Sequence, residues 1–137
     1  MYGPLSLQVE NQWTRVLRSD LDDPTIGGGY AFVSWFVTGE TRPYDLLNGV
    51  FLQPVPRRPL GALELAVRYS VMDFNELDVT GGFGQNWTFG VNWYVNNYVR
   101  FTANYLIVHN DLLADANGAV DGDDDFQAFL FRVGYFF

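Results

Sequence analysis

Phe126-Gln127-Ala128-Phe129-Leu130-Phe131-Arg132-Val133-Gly134-Tyr135-Phe136-Phe137 is the stretch on which the fold turns. Every second residue counted back from its end, Phe137, Tyr135, Val133, Phe131 and Phe129, is apolar or aromatic. The residues between them, Phe136, Gly134, Arg132, Leu130 and Ala128, are a mixed set that includes a charge. A strict period of two describes a β-strand with two unlike faces. Soluble domains rarely finish on so apolar a strand, whereas a transmembrane barrel commonly closes on one that ends at an aromatic girdle.

The same pattern recurs along the chain. Leu5 to Arg18 reads as a strand with Leu7, Val9 and Trp13 on one face and Gln8, Glu10 and Gln12 on the other. Asn11 interrupts the apolar face, which suggests a bulge. Arg15 shares that parity near the strand end, where it can snorkel to an interface. Ser19 to Pro24 reads as an acidic turn. A second strand runs from about Ile26 to Thr41, with Ala31, Val33, Trp35 and Val37 facing outward and Ser34 and Thr38 sharing the other side with Phe32 and Phe36. The proline-rich segment 42–59 is irregular, because proline cannot donate to a ladder. Gly61 to Phe74 alternates cleanly, then Asn75 to Gly82 reads as an acidic loop. Trp87, Phe89, Val91, Trp93 and Val95 mark a fourth strand. Asn96-Asn97 predicts a tight hairpin turn, since asparagine tolerates positive φ. Val99 to Val108 forms a fifth strand, and Asp111 to Asp125 a long acidic loop before the closing strand.

Composition narrows the class. With 137 residues the length suits one domain. Aromatics make up 18% of the chain and lie in alternating patterns, which is how membrane-facing strands carry them. There is no cysteine, hence neither a disulfide framework nor a thiolate metal site. The net charge of −8 argues against a nucleic-acid partner. No apolar run reaches the eighteen or so residues of a transmembrane helix. Neither a basic leader nor an apolar leader core is visible at the start.

The strands are mostly longer than the five or six residues usual in soluble sheets and match the nine to eleven tilted residues of a membrane-crossing strand. Six strands cannot close a wide barrel, and an open edge in lipid would leave backbone groups unpaired. The expectation is therefore an all-β fold: an antiparallel transmembrane β-barrel of which residues 1–137 supply the last six strands. The leader is expected to lie with the missing strands. If the final strand ends on the periplasmic side, segment 42–59 is periplasmic as well. It is too long for an ordinary turn there, so it is expected to fold into the lumen.

The chain resembles the C-terminal part of the phosphate-selective porin O and P family over nearly its whole length. The match rests on Ser34-Trp35-Phe36-Val37-Thr38-Gly39-Glu40-Thr41-Arg42-Pro43-Tyr44, Gly49-Val50-Phe51 and Leu63-Glu64-Leu65-Ala66-Val67-Arg68-Tyr69-Ser70. It continues in Asn86-Trp87-Thr88-Phe89-Gly90-Val91-Asn92-Trp93-Tyr94 and Val99-Arg100-Phe101-Thr102-Ala103-Asn104-Tyr105. The resemblance implies a sixteen-stranded, homotrimeric porin of the bacterial outer membrane. In that family, segments folded into the lumen narrow the pore, and arginines and lysines line an anion path. This chain has no lysine, and the N-terminal two-thirds of the family's barrel is not in it. Both departures bear on phosphate selectivity rather than on the porin assignment.

An anion pore must replace part of an ion's hydration with fixed positive charge and still release it. Guanidinium suits oxyanions because its planar fork donates paired hydrogen bonds. Arg68, Arg100 and Arg132 hold the non-apolar parity, since facing lipid near the midplane would cost each roughly 2–4 kcal/mol. They are either charged steps for anions or wall residues paired with Glu10 or Glu64. Arg57 and Arg58, between Pro56 and Pro59, are candidates for a constriction if the segment folds inward. Arg42 reads either way. His109, beside Asp111, has no second ligand at useful spacing. Asp121 to Asp125 lacks the calcium-loop pattern. No arrangement argues for catalysis, a cofactor or a metal.

The expected function is passive diffusion of small anions, phosphate or polyphosphate above all. The expected partners are those anions, outer-membrane lipids and lipopolysaccharide. The alternatives are a general or non-conducting barrel with a structural or adhesive role, and a soluble β-barrel or sandwich that binds a carbohydrate or lipid.

Overall fold

Each long alternating strand pairs antiparallel with the next long strand along the chain, whether the connection between them is short or long. The computed structural model describes residues 2–110 and 125–136. Six strands form one antiparallel sheet in the order β1-β2-β5-β6-β7-β8. They are β1 (Leu5–Arg15), β2 (Thr25–Phe36), β5 (Ala62–Glu76), β6 (Val79–Tyr94), β7 (Val99–Asn110) and β8 (Phe126–Tyr135). A two-residue hairpin, β3 (Tyr44–Asp45) with β4 (Val50–Phe51), lies within the long β2–β5 connection. The sheet is open, with β1 and β8 at its edges.

Residues opposite each other in an antiparallel ladder share a face. The register Val33↔Val67↔Phe89↔Tyr105↔Phe129 therefore runs one apolar row across the sheet. Trp35, Leu65, Val91, Ala103 and Phe131 form the next row. The large side chains of both rows stand well exposed, from Val67 at 37% to Phe129 at 71%. From Leu63 to Val71 this face advances about 26 Å along its strand at roughly 3.3 Å per residue. Trp93 and Phe101 stack near one border, and Tyr69 and Trp87 pack near the other. Charge appears on this face at Asp73, opposite Gly27 and thus in the row of Trp13. So extensive an apolar face on one chain marks a contact with lipid or another apolar partner.

The other face carries Ser6, Ser34, Ala66, Gly90 and Asn104 in one row. The next row holds Gln8, Phe32, Arg68, Thr88 and Leu106. At one end of this face the chain between β2 and β5 packs down and buries Phe36, Ala62 and Tyr94. Sequence parity thus located the faces of β2, including Phe32 and Phe36. These two interrupt the polar pattern because they lie beneath the crossing segment.

Several expectations change in detail. β1 ends at Arg15 rather than Arg18, where Val16 N–H turns to the Pro24 carbonyl. β2 ends at Phe36 rather than Thr41, because Gly39 closes a turn onto the Phe36 carbonyl at φ +92°. Asn11 makes no bulge: it pairs in register with Gly29, and a Cβ there would meet its side-chain oxygen. The expected loop Asn75 to Gly82 is mostly strand. β5 and β6 continue to Glu76 and Val79 and turn at Leu77-Asp78, with Leu77 at φ +55°. The ladder shifts register between Asp73 and Asn75, and the Asn75 side chain accepts the Gly82 N–H at 2.8 Å. The turn after β6 also works differently from expectation. Leu77 is the non-glycine residue with positive φ among those described. Asn96 instead uses its side-chain oxygen to accept the N–H groups of Tyr98 and Val99 at 2.8 and 2.9 Å. That is an Asx turn. The loop expected from Asp111 lies outside the described residues except at Asp125.

Candidate functional site

The site begins with a carboxylate in an unlikely place. Glu64 lies near the start of β5 on the polar face and is 0% exposed. A buried carboxylate is costly unless an opposite charge and hydrogen-bond partners compensate it. Arg42 supplies the charge through Nη2 to Oε1. The Tyr94 hydroxyl and Asn92 Nδ2 donate to Oε2 at 2.9 and 3.1 Å. Both come from β6, so the ladder that aligns β5 with β6 also assembles these donors. The guanidinium of Arg42 lies 5.3 Å from the Phe51 ring centre and 5.9 Å from those of Phe32 and Phe36. Aromatic faces attract a cation, so a sheet strand, an inserted hairpin and a buried acid together hold one arginine.

The segment that carries Arg42 is tied down along its length. Pro43 and Pro54 flank a proline-free middle, which is free to make the β3–β4 ladder. Tyr44 and Phe51 meet edge to face at 5.0 Å. Asp45 caps the turn by accepting Leu47 N–H and the Asn48 side chain at 2.9 and 2.6 Å. The Asn48 side chain, followed by the Leu47 and Asn48 amides, holds the Asp45 carboxyl below its ordinary pKa. Glu40, itself buried, accepts Thr38 Oγ1 and, at 3.3 Å, Arg57 N–H. Burial alone pushes the Glu40 carboxyl up. Hydrogen bonds from Thr38, its own amide and Arg57, with the nearby charge of Arg58, outweigh that and hold it below the usual value. Gln53 donates to Asn97 O at 3.0 Å and Trp93 Nε1 to Leu60 O at 2.8 Å. Gly61 completes the return at φ +87°, where a Cβ would lie 2.3 Å from the Tyr94 carbonyl oxygen.

Arg68 sits on β5 in the row beyond Ala66. Its guanidinium lies 4.1 Å from the centre of the Tyr30 ring. Tyr30 is itself oriented: its hydroxyl donates to Glu10 and accepts from Gln8 Nε2, each at 2.7 Å. Arg68 forms no ion pair among the described residues. A groove of about 330 Å³ opens between Arg42 and Arg68, walled also by Gln8, Thr88, Asn92 and Asn104. Among the described residues, no carboxylate lines it. Two guanidiniums, three amides and a hydroxyl around a volume of that size can replace the water around a small oxyanion.

The six arginines singled out in the sequence fall into different positions. Arg42 and Arg68 share the groove. Arg100 lies between the Tyr94 and Phe136 rings, 5.6 and 5.2 Å from their centres. Its Nε is buried without a hydrogen-bond partner among the described residues. Arg132 is exposed on edge strand β8, opposite Thr102 on the same face. Arg57 and Arg58 are exposed and flank Glu40 rather than entering the groove. The proposed pairing of wall arginines with Glu10 or Glu64 does not occur among the described residues: Glu64 takes Arg42, and Glu10 takes Tyr30. Arg15 and Arg18 pair instead with Asp23 and Asp78 at the far end of the sheet. His109 contacts Asp125 at 2.6 Å.

Sequence reasoning missed Tyr30 as the support of Arg68, and Asn92 and Tyr94 as the donors to Glu64. The signal was present for Glu64, an acid on the inner parity of a long apolar strand. Tyr30 gave none, because an aromatic residue next to a glycine run reads as part of either face.

The profile of the family described as phosphate-selective porin O and P matches residues 1–137. An uncharacterized protein from Caulobacter vibrioides is 34% identical over 127 residues, covering 87% of this chain and 24% of the relative. Porin O of Pseudomonas aeruginosa is 32% identical over 148 aligned residues, covering 98% of this chain and 33% of that protein. The chain thus spans a quarter to a third of the length of these curated relatives.

Proposed function

We propose a function for this chain from one premise: it belongs to the phosphate-selective porin O and P family. The sheet is one sector of a sixteen-stranded β-barrel in the bacterial outer membrane, and its free β1 and β8 edges pair with the strands that complete the barrel. Such pairing removes an exposed edge that lipid would penalise by several kcal/mol per unpaired group. The apolar face meets lipid and lipopolysaccharide, and the assembled porin is a homotrimer. The polar face lines the lumen, so segment 42–59 lies inside the pore from its periplasmic end and narrows it. The protein is a passive channel for small anions, with phosphate or polyphosphate the preferred class, rather than an enzyme.

The observation that carries this reading is the acid-free groove between Arg42 and Arg68. Arg42 is neutralised by Glu64, so it shapes the groove and fixes the segment more than it adds net field. Arg68 has no ion pair among the described residues and is aimed by Tyr30. An ion in the groove exchanges part of its hydration for guanidinium and amide donors, and neither a second charge nor a closed cage prevents its leaving. Arg100 and Arg132 extend positive charge along the same wall.

The full-length protein in a planar bilayer tests the reading. An anion-selective reversal potential in a potassium chloride gradient is expected, with phosphate blocking the chloride current. Arg68→Gln should raise the half-blocking phosphate concentration by about tenfold, the usual worth of one charge-assisted contact. A weakly selective or cation-selective reversal without block would leave a general porin and withdraw the anion site.

A further inference from the structure

Beyond Arg68, toward the Leu77-Asp78 turn, the inner face becomes mixed, with Gln12, Thr14 and Ser70 set beside large apolar side chains. Ile26, Met72 and Phe74 all line this end, with Gly28 between them. Gly28 stays flat by necessity, because a Cβ would meet the Val71 carbonyl oxygen at 2.6 Å and Met72 Cγ at 3.0 Å. The result is a second groove of about 330 Å³, bordered by the same Arg68 and Tyr30. Met72 is 52% exposed above it. Water-facing walls of a pore have no structural need for an isoleucine, a methionine and a phenylalanine around a bare floor. Met72 is also a side chain that adapts readily to an apolar guest.

Arg68 therefore stands at the junction of two grooves, the second richer in apolar side chains than the first. On one side amides and a hydroxyl accompany Phe32, and on the other Ile26, Met72 and Phe74 gather around Gly28, with Gln12, Thr14 and Ser70 at the border. The acid bordering the apolar side, Glu10, is engaged by the Tyr30 hydroxyl. We infer that this junction binds phosphate monoesters with a flat, largely apolar organic body. The phosphate engages Arg68 from the polar groove while the body lies over Gly28 against Met72 and Ile26. The inference rests on the anion-channel reading and deepens it, from inorganic ions to organic ones.

The test compares inorganic phosphate with phenyl phosphate as blockers of chloride current through the full-length protein. Phenyl phosphate is expected to half-block at a concentration about tenfold lower, the worth of burying part of one ring. Met72→Ser and Ile26→Ser should each remove most of that advantage and leave inorganic phosphate block within twofold. Either variant suffices if the other fails to insert. Block by phenyl phosphate without block by inorganic phosphate would uphold the inference and overturn the inorganic preference. Equal block by the two, or an advantage that survives both substitutions, would overturn the inference and leave the channel reading intact. No block by either would overturn both.

Discussion

Removal of the Glu64 carboxylate is the sharpest perturbation this structure offers. In Glu64→Ala the guanidinium of Arg42 loses its counter-ion, while the Tyr94 hydroxyl and Asn92 amide lose their acceptor. Breaking a buried ion pair by deleting one partner costs about 3–5 kcal/mol, because the other charge stays behind. The Arg42 side chain keeps 17% of its exposure, so water recovers part of that cost and the lower limit applies. A loss of about 3 kcal/mol raises the population with the segment released roughly 100-fold. Hydrogen exchange read by mass spectrometry on peptides spanning 42–59 measures it directly. The amides of Gly49 and Leu52, bonded to the Asp45 and Pro43 carbonyls, should exchange faster by that factor. Peptides of β8, separated from β5 in the sheet by β6 and β7, should not change. If segment 42–59 narrows a pore as proposed, the same variant should show a larger and noisier conductance. The double variant Glu64→Ala with Arg42→Met should recover much of the protection, since no orphaned charge remains. Unchanged exchange in Glu64→Ala, or a double variant no better protected than the single, would refute the view that this pair anchors the segment.

Further outcomes follow from the two faces and the turns. Val67→Arg, in the middle of the apolar face, should lower folding stability in lipid vesicles by about 2–4 kcal/mol, whereas Ser70→Arg on the polar face should change it little; equal losses would place lipid on both faces or neither. Asn96→Ala should cost about 1 kcal/mol, because the Tyr98 and Val99 amides lose their shared acceptor, and Asn96→Gly should not restore it in thermal unfolding, because the turn needs the side-chain oxygen and not positive φ. The Arg18 side chain, by its hydrogen bond and then its charge, lowers the pKa of the Asp78 carboxyl. A carboxyl whose folded pKa is depressed contributes stability that is present above its unfolded pKa and lost as pH falls through the folded value. The contact between the β1–β2 and β5–β6 turns should therefore loosen only at acid pH below the usual carboxylate range. A titration followed by NMR should show Asp78 moving back up in Arg18→Ala.

The strands and their faces were legible in the residues alone, for a simple reason. Side-chain direction along a strand alternates strictly, so composition at every second position reports which solvent each face meets. That is why alternation alone assigns Arg68, Arg100 and Arg132 to the polar face and places Phe32 and Phe36 there with Ser34. The boundaries were less legible. Asn75 to Gly82 carries the residues of a loop and still forms ladder, because polar residues pair as well as apolar ones where one local bulge keeps the hairpin in register.

What the sequence by itself determined was the sheet, its two surfaces and the family to which the chain belongs. The partners of the charges were decided only in three dimensions. Arg42 and Glu64 are 22 residues apart, on a proline-broken segment and on a strand, and no period relates them. Where that segment comes down depends on how Phe51, Phe36 and Phe32 pack around one guanidinium. Once Arg42 neutralises Glu64, Arg68 is left without an ion pair among the described residues. Whether an arginine on this wall is spent on structure or left free to meet an anion is set by that packing, because ion pairing depends on distance in space and alternation reports only the side of the sheet.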